Sequence, residues 1–585
     1  MQCKRWLGSI AGGVLLSALL LSTTPSQPSL LKKRALADLD TIRNIFEVKY
    51  APTLWKKEFA AWELDPAIEE AKDTIRSFSP LTLKQCQVAI RNFFNSTEDY
   101  HVGVKFYSTE CASLPFMIKE AEGRFFISYV DRSQVSERGF PFFIGDEILN
   151  FDNLPIGEAV DTLQREEYGS NTWETNRALA THALTYRRGD LGQIIPQGEC
   201  HISGIRQGEQ KVRYATVDWS YAPEKIKDFA KLGTLEAAYS PSALEWHENP
   251  LQALKNSSFF QKMMVSHFWD RSYVGGSLEG NPHTLGAKKD FLPNLGQVIW
   301  RNNSYWIFDA YIFLTPSNER VGYIRLPHYL GDEEEVEEFG ILMNYFQQNT
   351  DALVLDQMNN PGGSIFYLYG LASTLTNRPL FAPKHHITLT QEEVSTAITL
   401  LSYLDQVCDT YSAKEVLGDN IGGYMIDYKF AQLMRDFCHF LIKQWNEGRL
   451  YTELTHLYGV DHILPHPEYR YTKPILLLVN ELCFSGGDFF PAVLQDSNRA
   501  KVMGTRTSGA GGYVANVQFP NHTGMQSFSL TGSLAERRDS TPLENLGVVP
   551  DIPYTLTTED LENHYSEFAD AIVQEVQTLL SQKKG

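Results

Sequence analysis

Leu36, Leu39, Ile42, Ile45 and Phe46 recur at three- and four-residue steps, and this helical pattern extends from about Ala37 to Phe94. From Leu114 to about Tyr221 the period shortens to that of strands, with runs at Phe125–Val130, Glu199–Ile205 and Val212–Trp219. Inside that stretch Gly145 and Asp146 supply turn chemistry ahead of the apolar Ile148 and Leu149, which predicts a turn feeding a strand. From about Pro223 to Leu285 the pattern loosens, punctuated by Pro, Ser, Asn and Gly. One amphipathic stripe there, Leu251, Leu254, Phe259, Phe260, Met263 and Met264, reads either as helical core or as a mobile insert docking on another surface. From about Gly286 strands and helices alternate. Ala352–Leu355 and Ile475–Val479 have the short, wholly apolar form of strands buried on both faces. The acidic run Asp332–Glu338 fits a helix N-terminus, where the helix dipole favours negative charge, and the helix should continue to Gln348. The expected fold is α/β, with an N-terminal helical region and an embedded β-rich domain.

Length changes the picture first: 585 residues exceed one core and suggest roughly four folding units. Lys and Arg number 52 against 71 Asp and Glu, a formal charge of −19 that repels phosphate backbones and argues against nucleic-acid binding as the primary role. Seven cysteines without a Cys-x-x-Cys pair exclude a dense disulfide scaffold and a short-spaced zinc ribbon. Lys4 and Arg5, the apolar stretch Ile10–Leu21 and the small residues up to 26 form the three-part pattern of a secretory signal peptide. The apolar stretch is about 12 residues, short of the ~20 that span a bilayer. The expected mature protein is therefore exported and without a stable membrane anchor. It loses Cys3 and keeps six cysteines whose pairing the sequence leaves open.

Four segments carry candidate chemistry. The run Pro474 to Phe490 reads as a buried strand, a short turn with Ser485, Gly486 and Gly487, and a helix to about Gln495. Ser485 is there either a helix N-cap or a nucleophile beside helix-start N–H groups, with Cys483 as a rival nucleophile. Asp356 to Ser364 ends a second buried strand in Asn359-Asn360-Pro361-Gly362-Gly363, an ordinary turn or a source of backbone donors for an oxyanion. His101 lies where the helical region hands over to a strand, and Glu544 precedes another. The glycine-rich Gly504 to Gly512 lacks the Gly-Lys-Ser/Thr ending of a phosphate loop, and Pro465 stands between His462 and His466. No cofactor and no catalytic metal are expected.

Together and in this order, these segments resemble the tail-specific (C-terminal processing) serine proteases. The resemblance runs through Asp99-Tyr100-His101, a PDZ-like Gly145 to Leu149, Asp356 to Gly363, the serine turn, Gly504 to Thr507 and Gly547 to Asp551, spanning about residues 95 to 555. Typical members pair the serine with a lysine about 25 residues later, whereas positions 509 to 512 here read Gly-Ala-Gly-Gly. That departure leaves room for an imidazole base, as in a branch of secreted protease-like activity factors that the chain resembles more closely. Further matches to that branch include Val48 to Pro52, Asp488 to Pro491 and Thr531 to Ala535.

The resemblance implies a serine endopeptidase with Ser485, His101 and Glu544 as its triad and backbone N–H donors at Gly486 and at Gly362 or Gly363. It also implies a latent zymogen activated by self-cleavage of an internal segment, a homodimer, and protein or peptide substrates, host proteins among them. The expected division is a signal peptide at 1–26, a helical region carrying the histidine at 27–112, a PDZ-like domain at 113–224, an autoinhibitory insert at 225–285 and the catalytic domain at 286–585. The alternative is a PDZ-type peptide-binding protein that keeps the fold and has lost turnover; a Ser-His esterase is a third reading, against which the PDZ-like segment argues.

Overall fold

The computed structural model describes residues 29–168, 172–226, 281–303 and 305–584. The expected leader and residues 227–280 of the expected insert, including its amphipathic stripe, lie outside the described residues. No helix among the described residues is long and apolar enough to cross a membrane.

Four helices, Leu30–Lys49, Thr53–Ala60, Leu64–Ser77 and Leu83–Ser96, open the fold. Thr82 and Gln85 start the last of them as a reciprocal capping box. Leu39, Ile42 and Phe46, at helical spacing, bury against Ile68, Ile75, Ile90 and Phe94. Met525, Phe528 and Leu530 belong to the same core, so these helices are packed on a strand from far along the chain.

A five-stranded antiparallel path follows, in the order Phe116–Ala121, Arg124–Val130, Glu147–Phe151, Glu199–Ile205, Val212–Asp218. Gly145, at φ 90°, makes the predicted turn into Glu147–Phe151, and the Asp146 carboxylate accepts the Phe143 and Gln207 N–H groups. The structure departs from the strand pattern at Ile156–Leu163 and Trp173–Ala183, which are helices. Ile156, Val160 and Leu163 recur at steps of four and three and all bury, but over one short helix this spacing is hard to tell from a strand's.

The third region is a seven-stranded sheet in the order Gln297–Arg301, Ala310–Leu314, Arg320–Arg325, Ala352–Asp356, Ile475–Val479, Lys501–Gly504, Ile552–Pro553. The strands are parallel from Arg320–Arg325 onward. Side chains alternate between two cores: Leu353 and Leu355 face one, Ala352 and Val354 the other. Helices Glu333–Asn349, Ile365–Ser373, Gln391–Leu404 and Tyr428–Asn446 cover the first face, and Ser566–Lys584 covers the second. Asp332 and Glu335 make a capping box at the acidic helix start, as the charge run predicts. Because Ala352–Asp356 and Ile475–Val479 are adjacent and parallel, the loops that follow them leave the same edge of the sheet. That edge brings two of the four candidate segments together.

Candidate active site

After Val479 the apolar strand gives way to Asn480, whose side chain exchanges hydrogen bonds of 2.8 Å with the backbone N–H and side-chain oxygen of Asn359 on the neighbouring loop. The chain then turns sharply. Phe484 N–H donates to the Asn360 carbonyl at 2.9 Å, and Ser485 takes φ 53°, ψ −112° before the helix Gly486–Asp496 begins. A positive φ in a non-glycine residue stores backbone strain, which persists only where surrounding contacts impose it. Ser485 holds the N-cap position but makes no side-chain cap bond, while its carbonyl accepts from Asp488 and Phe489. It borders a cavity of about 40 Å³ whose walls include Ile365, Leu457, Phe489, Tyr513 and Val514. His385 closes part of it, its ring stacked on Phe489 at 5.7 Å and its pKa pushed down to about 3 by burial. The wall of this cavity is therefore neutral and chiefly apolar.

The companion loop approaches from Asp356. That carboxylate, buried against Arg325 at 3.1 Å and bonded by Tyr323 Oη at 2.7 Å, fixes where the strand ends. Beyond it Tyr329 N–H donates to the Gly362 carbonyl and Ser364 N–H to the Tyr329 carbonyl. The two glycines are required by close approach. A Cβ on Gly362 would stand 2.7 Å from the Ser485 Cβ and 2.8 Å from the Gly486 nitrogen, and one on Gly363 only 2.0 Å from the Tyr329 carbonyl oxygen. The Gly362 N–H is taken up by Asn360 Oδ1 at 2.8 Å. The N–H groups of Gly363 and Gly486 donate to no protein acceptor among the described residues.

His101 enters through the strand Gly103–Phe106, which pairs antiparallel with Met525–Thr531, Gly103 opposite Ser529. Asp99 organises the approach: its carboxylate accepts His101 N–H at 2.8 Å, Thr531 Oγ1 at 2.7 Å and Tyr50 Oη at 3.1 Å. Ser529 Oγ donates to the His101 carbonyl at 2.7 Å. Tyr100 packs edge-on against Phe484 with ring centroids 5.3 Å apart, so the histidine segment and the serine turn are neighbours. Ser485 and His101 are 6% and 1% exposed. Glu544 is wholly buried; its Oε2 accepts the Gly511 N–H at 3.1 Å, and its Oε1 meets Lys56 Nζ at 2.5 Å.

A sequence profile of peptidase family S41 matches residues 320–554, and a PDZ-domain profile matches residues 110–226. An uncharacterised protein of Chlamydia muridarum is 38% identical over 602 residues, covering 97% of this chain and 96% of its own length. Mature CPAF, the chlamydial protease-like activity factor, solved in complex with lactacystin, is 32% identical over 95% of this chain and 100% of its own, with a TM-score of 0.81. A serine-to-alanine mutant of CPAF is 33% identical over 94% of this chain and 98% of its own, with a TM-score of 0.83. The chain belongs to peptidase family S41. It is a serine-type peptidase of the CPAF type, with a PDZ domain and N-terminal helices, and its substrates are proteins or peptides.

Within this S41 peptidase the rival thiol is silent. Cys483 is buried, donates to the Gln357 carbonyl at 3.2 Å, and has its pKa pushed up to about 12 by burial. Among the described residues no cysteine is in a disulfide. Asp488, in the first helical turn after the serine, is fully buried and accepts from Thr507, Ser508, Gly509 and Ala510. It thereby fixes the loop whose Gly511 N–H meets Glu544. The side chains that sequence reasoning missed are Lys56, His385 and this loop-anchoring role of Asp488. Asp488 carried a signal, an acid three residues beyond the serine. Lys56 carried none, since Lys57 stands beside it and is exposed.

Proposed function

We propose that this S41 peptidase is a secreted endopeptidase in which Ser485 is the nucleophile, His101 the general base and then acid, and Glu544 the carboxylate that orients the imidazole and supports its charge, directly or through water. The observation that carries the reading is the backbone of Ser485: a positive φ at the head of a helix, no capping bond, and two unspent N–H groups alongside. In this reading the Ser485 Oγ attacks the scissile carbonyl carbon while His101 takes its proton. The oxyanion that forms accepts from the Gly363 and Gly486 N–H groups, and Gly362 serves by its close approach. Collapse expels the amine, which takes the proton from His101, and water then repeats the sequence in reverse roles to free the acyl group.

The chain is read further as a latent zymogen, divided at the boundaries expected from sequence, that removes its 225–285 insert by self-cleavage, forms a homodimer, and acts on host proteins. The likeness to CPAF, solved in a mature form, and the chlamydial relatives support this. So does the low exposure of Ser485 and His101. The test is to incubate the full chain with a fluorophosphonate probe, and separately with lactacystin, beside Ser485→Ala. The wild type should label and self-cleave, and the variant should lose both by at least a thousandfold. A wild type that neither labels nor cleaves itself, even after a cut within 225–285, would overturn the reading.

A further inference from the structure

Lysine is among the residues least often fully buried, and when it is, it is paired. Lys56, on the short helix Thr53–Ala60, has no exposed surface, and neither does Glu544. Its ammonium has three N–H donors and three partners: Glu544 Oε1 at 2.5 Å, Asn545 Oδ1 at 2.8 Å and the Glu98 carbonyl at 2.7 Å. Two of these partners lie on the loop that carries Glu544, and the third immediately precedes Asp99-Tyr100-His101. Asn545 repeats the link, its Nδ2 donating to the same Glu98 carbonyl at 2.6 Å. One cation thus bridges the carboxylate and the segment that presents the imidazole.

The surroundings show what that cation does. The titratable and charged groups around Glu544 are Lys56 from its helix, Tyr50 from the end of the helix Leu30–Lys49, and Asp99 from the segment before the strand Gly103–Phe106. Gly511 adds a single backbone N–H. Burial pushes the Glu544 pKa up and the nearby Asp99 carboxylate pushes the same way; Lys56 opposes both, and the balance stands at about 8. Burial and the two carboxylates hold the Tyr50 phenol neutral. A second carboxylate within reach would favour a neutral Glu544, which could not support an imidazolium.

We propose that Lys56 is a positioning residue for the triad: it favours the ionised form of Glu544 and ties it to the segment bearing His101, so that a helix of the N-terminal region completes the active site. This rests on the assignment of Glu544 made above. Removing the ammonium leaves burial and Asp99 unopposed, so Glu544 releases its proton only at a still higher pH.

The test follows the rate of fluorophosphonate labelling of Ser485 in the full chain from pH 6 to 9.5, for wild type, Lys56→Met, Lys56→Arg, Glu544→Gln and Lys56→Met/Glu544→Gln. Lys56→Met should label at least tenfold more slowly at pH 7 and recover as the pH rises, with its rising limb at least one pH unit above that of wild type. Lys56→Arg should stay within a few-fold of wild type. With Glu544→Gln present, Lys56→Met should cost less than a further twofold, and this double variant retains a folded comparison if the single lysine variant does not fold. A slow Glu544→Gln beside a Lys56→Met of wild-type rate and profile overturns the role of Lys56 and leaves the triad standing. A Lys56→Met that is slow without a shifted profile, and equally damaging in the Glu544→Gln background, marks a packing role and also overturns it. A Glu544→Gln that labels like wild type overturns the assignment of Glu544 itself.

Discussion

At Asp488 burial and hydrogen bonding pull in opposite directions. Four donors from Thr507 to Ala510 favour the charged form, yet complete burial outweighs them and raises the pKa from 3.8 to about 6. The native state therefore holds a proton between about pH 4 and pH 6 that the unfolded chain has released. Its contribution to stability is fully present below about pH 4 and is lost as pH rises through 6, by about 3 kcal/mol for a shift of this size. Asp488→Asn cannot titrate. Urea unfolding at half-unit steps from pH 4 to 7 should show wild-type stability declining relative to the variant across that window; parallel curves would count against it. The residue scale is also where sequence was least informative. Ser485 was identifiable because it sits between a buried strand and a pair of glycines. Lys56 was not, because its burial is decided by Glu544, which stands 488 residues away along the chain. Which of Gly362 and Gly363 keeps a free N–H was equally hidden, since it turns on whether the Asn360 side chain folds back onto one of them.

Single elements were far more legible. Ile475–Val479 forms over the residues its apolar run predicts, and Ala352–Asp356 extends its run by one. Uninterrupted apolar runs leave little choice of state once both faces are covered. The helices Ile156–Leu163 and Trp173–Ala183 escaped because each is short and together they interrupt a run of strands. What sequence periodicity cannot express is which elements meet, and Phe528 shows this. It lies in the strand Met525–Thr531, yet its ring centroid is 5.2 Å from that of Phe94 and 6.3 Å from that of Phe46, so it fastens two N-terminal helices to the strand that pairs beside His101. Phe528→Ala should open a cavity there and cost about 3–5 kcal/mol. If that strand positions the proposed base, labelling of Ser485 should also slow under conditions where the variant remains folded. A loss of stability measured in urea, with labelling unchanged, would separate the strand's packing from any role in catalysis.

On the scale of the whole molecule, the PDZ domain reads as a buttress of the proposed site. Thr175 Oγ1 donates to the Glu481 carbonyl at 2.8 Å, on the approach to the serine turn. Thr172 Oγ1 donates to the Ser508 carbonyl at 3.0 Å, on the loop that Asp488 anchors. Asn176 Oδ1 accepts the Tyr100 hydroxyl at 2.7 Å, beside His101 and against Phe484. Three residues of one domain thus touch the approach to the serine, the segment of His101 and the loop that meets Glu544. A domain that only gathers substrates would affect long substrates and leave a small probe alone. A buttress affects both, because the geometry at Ser485 depends on it. The double substitution Thr175→Val, Asn176→Ala removes two of these contacts while keeping the PDZ domain's own core, which is formed by other residues such as Ile118, Ile127 and Val160. Fluorophosphonate, which makes no use of an extended groove, should label the double variant roughly tenfold more slowly than wild type, in line with the rate lost when a reacting group is slightly misplaced. Equal labelling rates, together with a defect confined to long protein substrates, would return the PDZ domain to substrate capture alone.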